Sequence, residues 1–304
     1  MSKKVSLFVC AVASAVLAGC ATSTPSAVKQ GTYNEKLSRA KNLADPFGYS
    51  VLRDAQAPEG SNISPDGSLL LDTAGWAANF HVAAGTGFLP GTKDWGSALG
   101  CGLGISLLSS AFAPTPLTEK HAAFGYVPAS KASSVVEARN LFAKQWTDSI
   151  AATLRDLYPK AKIETDFADY KKTMLMDAFY VGAVSIVDES MGCFGYEVKR
   201  PREDHCTASV AVFTPKEKLL TPPTYFGGAP ESSYLMTHSD IYTLSGNKHA
   251  VDWVKVLAAS VKYLPEKTAV YVAPRKDAEG KMSPPVVLET NRLNFFVKPV
   301  TKSD

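Results

Sequence analysis

The sequence predicts an α+β (or α/β) fold, in which a mixed sheet with two amphipathic helices is preceded by an apolar Gly-rich hairpin. Apolar residues recur at spacings of three and four along Val135 to Leu157 and again along 248–263, which is the spacing of a helix with one buried face. Each stretch ends at a proline, Pro159 or Pro265, and continues into a short strand-like segment. Helices alternating with strands predict one globular domain over 117–304.

The individual elements follow from local signals. Asn34 is the expected N-cap of a short helix that reaches Ala44 and stops at Asp45-Pro46. Ser130 or Ser133 is the expected entry into the long helix. Strands are expected at 161–165, 179–188, 206–214 and 268–273, with a final strand or strand pair at 285–297.

Residues 1–19 have the order of a secretory signal peptide. Lys3 and Lys4 supply the charged start, and Val5 to Val16 is a short apolar run. This run is shorter than the about 20 residues that a helix needs to cross a bilayer. Cleavage is therefore expected, and not retention as a transmembrane anchor.

The motif Leu17-Ala18-Gly19-Cys20 resembles the lipobox of bacterial lipoproteins. That resemblance implies lipidation of Cys20, with 20–32 as a small, polar tether. Ala21 follows the lipidated cysteine, and by resemblance to the enterobacterial sorting rule this favours the outer membrane, facing the periplasm. The alternative is an ordinary signal peptide in which the cysteine occurs by chance.

Composition narrows the class of partner. The chain has 32 basic and 29 acidic side chains, a net charge of +3 that falls to +1 when Lys3 and Lys4 leave with the signal peptide. A nearly neutral mature chain gives no indication of nucleic-acid binding. Its 45% hydrophobic and 20% charged residues are typical of a globular protein.

Three cysteines remain besides the signal-peptide cysteine and Cys20, namely Cys101, Cys193 and Cys206. In an oxidising compartment, the separation of Cys193 and Cys206 suits a disulfide that closes a polar loop. Two alternatives stay open at this stage. One is a zinc site that uses His205 with both cysteines, and the other is a pair of free buried thiols.

The N-terminal region 33–116 contains the apolar Gly-rich hairpin, 73–113, whose two arms flank the polar segment 90–94. Glycines recur every four residues in the second arm, and a tryptophan begins each arm; these candidate membrane or self-association residues are Gly96, Gly100, Gly104, Trp76 and Trp95. Burial in a membrane or between subunits competes with burial in a soluble core, because the second arm is barely long enough to span a bilayer. An irregular loop is the third possibility.

A lipid-anchored chain with an apolar Gly-rich segment resembles, in plan, the surface-exclusion lipoproteins of conjugative plasmids. The resemblance covers the lipobox and the segment 73–113, and no further motif carries it.

No fingerprint of catalysis, cofactor binding or metal binding stands out. His238-Ser239-Asp240 contains triad residue types, but adjacent side chains do not assemble a triad, and a polar turn is expected there. Asp166, Asp169, Asp188 and Glu189 include the residue types of a glycosidase carboxylate pair. Solvated carboxylates near strand ends are the more common reason for such residues.

These observations lead to two functional hypotheses. The first is a non-enzymatic structural component of an outer-membrane envelope assembly for secretion, conjugation or surface exclusion, partnered by the membrane and by copies of itself or other envelope subunits. The second is a lipid-tethered periplasmic domain that binds or hydrolyses envelope glycan.

Overall fold

A computed structural model of the chain describes residues 32–55, 68–70, 120–169, 180–195, 204–211, 219–220, 222–226, 234–245, 250–276, 282–283, 285–290 and 292–298. They form an antiparallel sheet with helices packed on it. The predicted α+β class is confirmed. The predicted hairpin 73–113 and the lipidation site Cys20 lie outside these residues. So do the candidate membrane or self-association residues of the hairpin, Gly96, Gly100, Gly104, Trp76 and Trp95.

Twelve strands occur in the described part of the chain: β1 Ser68–Leu70, β2 Ala122–Pro128, β3 Lys162–Asp169, β4 Tyr180–Val187, β5 Cys206–Ala211, β6 Leu219–Leu220, β7 Tyr234–Ser245, β8 Thr268–Val272, β9 Arg275–Lys276, β10 Met282–Ser283, β11 Val286–Glu289 and β12 Arg292–Phe295. Ten of them form one sheet in the order β1-β12-β11-β8-β2-β7-β5-β4-β3, with β6 also paired to β7. β9 and β10 form a separate hairpin. Each of these pairings is antiparallel, which is the pattern of α+β and not of α/β folds.

Within the described ranges, three α-helices accompany the sheet: α1 Arg39–Ala44, α2 Val135–Leu157 and α3 Trp253–Ser260. Short 3₁₀ turns follow α1 at Asp45–Phe47 and α3 at Val261–Tyr263. None of the helices in the described ranges is long and apolar enough to cross a bilayer.

The larger core lies between the helices α2 and α3 and one face of the sheet, called here the inner face. Phe142, Trp146, Ile150 and Leu154 are fully buried along α2 at the predicted helical spacing. They pack with alternate residues of the central strands, because successive side chains of a strand point to opposite faces. The amphipathic pattern of the sequence thus identified the correct face of α2.

The helix ends differ from two of the expected caps. Ser134, and not Ser130 or Ser133, is the N-cap of α2, because its side chain accepts a hydrogen bond from the Glu137 amide. Ser133 nevertheless contributes, since its amide and hydroxyl both donate to the Glu137 carboxylate. Ser38, and not Asn34, caps α1. The second predicted helix is shorter than 248–263, with its N-cap at Asp252.

The turn predicted at 238–240 is wrong, since β7 runs through it without interruption. His238 pairs with Phe124 and Asp240 with Ala122 on the neighbouring strand β2. β7 also pairs with β5 on its other side. Pairing with β2 along all three residues, and with β5 at Asp240, outweighs the turn preference of a polar tripeptide, because propensity is a weaker influence than tertiary pairing.

The other face of the sheet, called here the outer face, has a second and aromatic core. Phe47, Tyr49, Phe124 and Tyr271 are buried there, with ring centroids 4.5 Å apart for Phe47–Phe124 and 4.6 Å apart for Tyr49–Tyr271. The segment 33–55 supplies α1 and two of these rings, β1 pairs with β12, and Ala55 bridges Val297. The N-terminal region therefore contributes to the same sheet as 120–298.

A bidentate ion pair attaches α1 to the sheet. Arg39 Nε and Nη2 lie 2.7 and 2.8 Å from the two carboxylate oxygens of Glu289 in β11. Arg39 also donates to the Tyr225 carbonyl oxygen at 3.2 Å. Burial, followed by the negative charge of Asp45, raises the pKa of Tyr225 to about 12, so its hydroxyl stays protonated and donates to the Asn42 carbonyl oxygen at 3.0 Å.

Candidate functional site: a polar groove on the outer face

The candidate site lies on the outer face at the end of the sheet formed by β3, β4 and β5. In the antiparallel register, Glu164 is opposite Ser185 and Asp166 is opposite Ala183. Val184 and Ile186, which alternate with Ala183 and Ser185 along β4, point into the inner core. Strand alternation therefore places the polar residues of β3 and β4 together on the face that α2 and α3 do not occupy.

These residues line a concavity of about 630 Å³. Small side chains form its floor on β4, with Ala183 and Ser185 among them. One wall is the charged side of β3, and the other comes from the segment after β4. Within the described part of the chain, the lining residues are Lys162, Glu164, Thr165, Asp166, Ala183, Ser185, Val187, Glu189, Phe194 and Gly195; this set is called the groove below.

The floor is ordered by a buried hydroxyl pair. Ser185 Oγ and Thr207 Oγ1 lie 2.9 Å apart across the β4–β5 ladder, and both side chains are at least 95% buried. On β3, Lys162 Nζ is 2.6 Å from Glu164 Oε1. Since this ion pair is solvent-exposed, it contributes to the arrangement of charges more than to stability.

A disulfide holds the second wall. Cys193 and Cys206 are bonded, with Sγ atoms 2.04 Å apart, and both are fully buried in the inner core. The predicted pairing is confirmed, and the zinc and free-thiol alternatives are wrong because both sulfur atoms are used in the bond. The bond joins Cys193, two residues after the 3₁₀ turn Glu189–Met191, to Cys206, the first residue of β5.

Besides the disulfide, two hydrogen bonds hold the backbone of Phe194, the next residue in the chain. The Phe194 amide donates to the Asp204 carbonyl oxygen at 2.9 Å. The Phe194 carbonyl oxygen lies 3.0 Å from His205 Nδ1, so this nitrogen carries the proton and donates. Phe194 and Gly195 are thus positioned at the groove by the residues that flank the disulfide on both strands.

The structure separates the four carboxylates considered from the sequence. Asp166 and Glu189 line the groove, from β3 and from the turn after β4. Asp188 instead caps that turn, with its Oδ1 accepting from the Ser190 amide at 2.9 Å. Asp169 is the last residue of β3.

The two histidines whose side chains the structure describes, His121 and His205, are not among the residues that line the groove. His121 Nδ1 accepts from the Ala273 amide at 3.1 Å, and His205 is committed to Phe194. No group of three or more His, Cys, Asp or Glu residues in the described part of the chain is arranged to hold a metal ion. The described lining offers carboxylates, hydroxyls, the Lys162 ammonium and the ring of Phe194.

Sequence reasoning missed Glu164, Ser185 and Phe194 as members of a site. The sequence does indicate the polar face of β3, because Lys162, Glu164 and Asp166 alternate there with Ile163 and Phe167. This period of two predicts a strand with one polar face. The contribution of Phe194 had no comparable signal, because it depends on the turn and the disulfide that return the chain to β5.

The chain matches no protein-family model, no curated protein and no solved structure. Its own sequence and geometry are therefore the basis for assigning a function.

Proposed function

We propose that this protein is an outer-membrane-anchored lipoprotein that acts as a non-enzymatic component of an envelope assembly. The lipobox-like Leu17-Ala18-Gly19-Cys20 motivates the anchor. The observation that carries the proposal is the buried Cys193–Cys206 disulfide, because structural disulfides form in secreted and periplasmic proteins and are rare in the cytosol. A lipid on Cys20 with an oxidised domain beyond it is consistent with the periplasmic side of a membrane.

The non-enzymatic part of the proposal is motivated by the sequence, in which no Gly-x-Ser-x-Gly fingerprint of a nucleophilic hydrolase occurs. The glycine series at Gly96, Gly100 and Gly104 supplies a candidate contact between copies of the chain, since small residues on one helix face allow close packing.

The anchor is tested by replacing the lipidated residue. Cys20→Ser should abolish labelling of the protein by a radiolabelled or clickable fatty acid, because the thiol that receives the lipid is gone. Fractionation should show the variant absent from washed outer membranes. The control is Cys10→Ser in the signal peptide, which should leave labelling unchanged. Continued acylation of Cys20→Ser would contradict the proposal.

The assembly is tested at the glycine series. Gly100→Leu should shift the detergent-extracted lipoprotein from an oligomer or complex to a smaller species in crosslinking and light scattering, because a large side chain prevents close approach of the packed face. Ala98→Leu is the control, because it adds a similar side-chain volume two positions away from Gly100, which on a helix is off the glycine face. It should shift the size of the extracted species less than Gly100→Leu does. A wild-type protein that is strictly monomeric after extraction would contradict the assembly.

A further inference from the structure

We propose that the groove on the outer face binds a neutral, hydroxyl-rich saccharide. The inference goes beyond the proposed envelope assembly and does not depend on it, because it uses only residues of β3, β4 and the segment closed by the disulfide. Four properties of the groove carry it: size, rigidity, charge and the mixture of polar and aromatic lining.

The groove has the size and rigidity of a small-ligand site. Its volume of about 630 Å³ lies within the roughly 300–1,000 Å³ typical of small-molecule sites. Ala183 and Ser185 on the floor belong to β4, which pairs on both sides, with β3 and with β5. Phe194 is positioned by the adjacent disulfide and by two backbone hydrogen bonds. A site built on paired strands needs little rearrangement to accept a ligand.

The charge of the described lining disfavours several ligand classes. Among the described lining residues, Glu164, Asp166 and Glu189 are opposed by Lys162, and that ammonium is already 2.6 Å from Glu164. Phosphorylated or carboxylated ligands would meet like charge and are disfavoured. A bound metal ion is disfavoured too, since Ca²⁺ takes six to eight converging oxygen ligands and the acidic groups in the described ranges do not cluster in that way.

The remaining chemistry matches a sugar. Ionised carboxylates only accept hydrogen bonds, and their bonds from hydroxyl donors are charge-assisted and therefore strong. Ser185, which is 95% buried, adds a hydroxyl at the floor next to its partner Thr207. Phe194 offers an apolar ring against which the C–H face of a sugar can pack. A saccharide ring has hydroxyls around its edge and C–H groups on its faces, so it uses both kinds of surface.

The test is calorimetric titration of the full-length lipoprotein in detergent with cellotetraose, maltotetraose and chitotetraose. At least one of these neutral oligosaccharides should bind. Glu164→Gln should weaken that binding roughly tenfold, because it removes the charge from one acceptor and keeps its volume. Ala183→Trp should abolish binding by filling the floor. If circular dichroism shows that Ala183→Trp does not fold, the binding affinities of Glu164→Gln and Phe194→Ala replace it as the test, and both variants should bind the oligosaccharide more weakly than the wild type.

The matched control is Asp148→Asn on α2. It also removes a carboxylate from an exposed ion pair, with Lys144 Nζ at 2.7 Å, but it lies outside the groove. It should bind as the wild type does. Pull-down with purified peptidoglycan sacculi then separates a polymeric envelope glycan from a free oligosaccharide as the source of the ligand.

Two results would overturn the inference. The first is that none of the three oligosaccharides binds, whether or not spermidine, a cationic probe without hydroxyls, does. The second is oligosaccharide binding that Glu164→Gln and Phe194→Ala leave unchanged. Each leaves the Cys20 labelling result unaffected, so failure of this inference and failure of the proposed anchor are distinguishable.

Discussion

Removal of the Cys193–Cys206 disulfide is expected to lower the free energy of unfolding by about 3 kcal/mol. The bond joins residues 13 apart in the chain, and in the chain-entropy model closing a loop of this length removes about that much conformational freedom from the unfolded state. Both cysteines are fully buried against the α2 core, so the native state also loses packing when they are replaced. A loss of this size is a substantial fraction of the about 5–15 kcal/mol that stabilises a typical domain.

The measurement is urea unfolding of the Cys193→Ala/Cys206→Ala double variant beside wild type, with and without reductant. Reductant should lower the midpoint of the wild type and leave that of the double variant unchanged. Cys101→Ser, which removes a cysteine outside the pair, serves as the control. Peptide mapping without reduction should recover Cys193 linked to Cys206, and free thiols at both positions in protein isolated from the envelope would contradict the pairing.

The same double variant has a consequence at the groove. Phe194 directly follows Cys193, and its partner His205 directly precedes Cys206. Loss of the bond should therefore loosen this wall and weaken oligosaccharide binding, even under conditions where the domain remains folded. The disulfide links the stability of the domain to the geometry of its proposed site.

Gly182→Ala is expected to destabilise the protein by about 1–3 kcal/mol, the usual cost of overpacking a well-packed interior. Gly182 is in β4 and its missing side chain would point towards α2. A Cβ atom there would lie 2.3 Å from Thr147 Oγ1 and 3.1 Å from Thr147 Cγ2. Thr147 is fully buried, and its hydroxyl donates to the Ala143 carbonyl oxygen at 2.8 Å. The helix would have to move away from the sheet to make room.

A double-mutant cycle identifies this clash as the cause. Thr147→Ala removes the two nearest atoms, so Gly182→Ala should cost less in the Thr147→Ala background than in the wild type. Gly195→Ala is the matched control, because the nearest neighbour of its Cβ would be Val187 at an ordinary 3.6 Å; it should change stability by less than about 0.5 kcal/mol. Equal unfolding midpoints for Gly182→Ala and Gly195→Ala would show that α2 does not pack closely at this point.

The elements that the sequence predicts well are those with a strong local pattern. Val135 to Leu157 is a helix with the expected buried face, and it ends where Pro159 requires. The strands at 161–165, 179–188 and 206–214 exist with shifted ends, as β3, β4 and β5. Caps were less predictable, since Ser133 and Ser134 are adjacent and only the backbone geometry decides which hydroxyl reaches the Glu137 amide.

The site was predicted only in part. Asp166 and Glu189 were candidate carboxylates, and both line the groove, but Asp188 next to Glu189 is used as a cap. Nothing local distinguishes these two neighbours, because the direction of each side chain depends on the turn after β4. The hydroxyl of Ser185 and the ring of Phe194 enter the site through strand register and through the disulfide, which are both long-range features.

By itself, the sequence determined the long amphipathic helix and a fold that mixes helices with strands, and it favoured the pairing of Cys193 with Cys206, since each depends on spacing along one stretch of chain. The antiparallel pairings then decided for α+β over α/β, and the bonded sulfur atoms decided for the disulfide over a zinc site or free thiols. The tertiary structure alone decided that β7 runs through 238–240, that α1 is held by Arg39 and Glu289, and that β3, β4 and the disulfide-closed segment meet in one groove. The physical reason is the same in each case. Hydrogen-bond ladders, ion pairs and buried contacts join residues up to 250 positions apart, and their combined free energy exceeds the preferences of short segments.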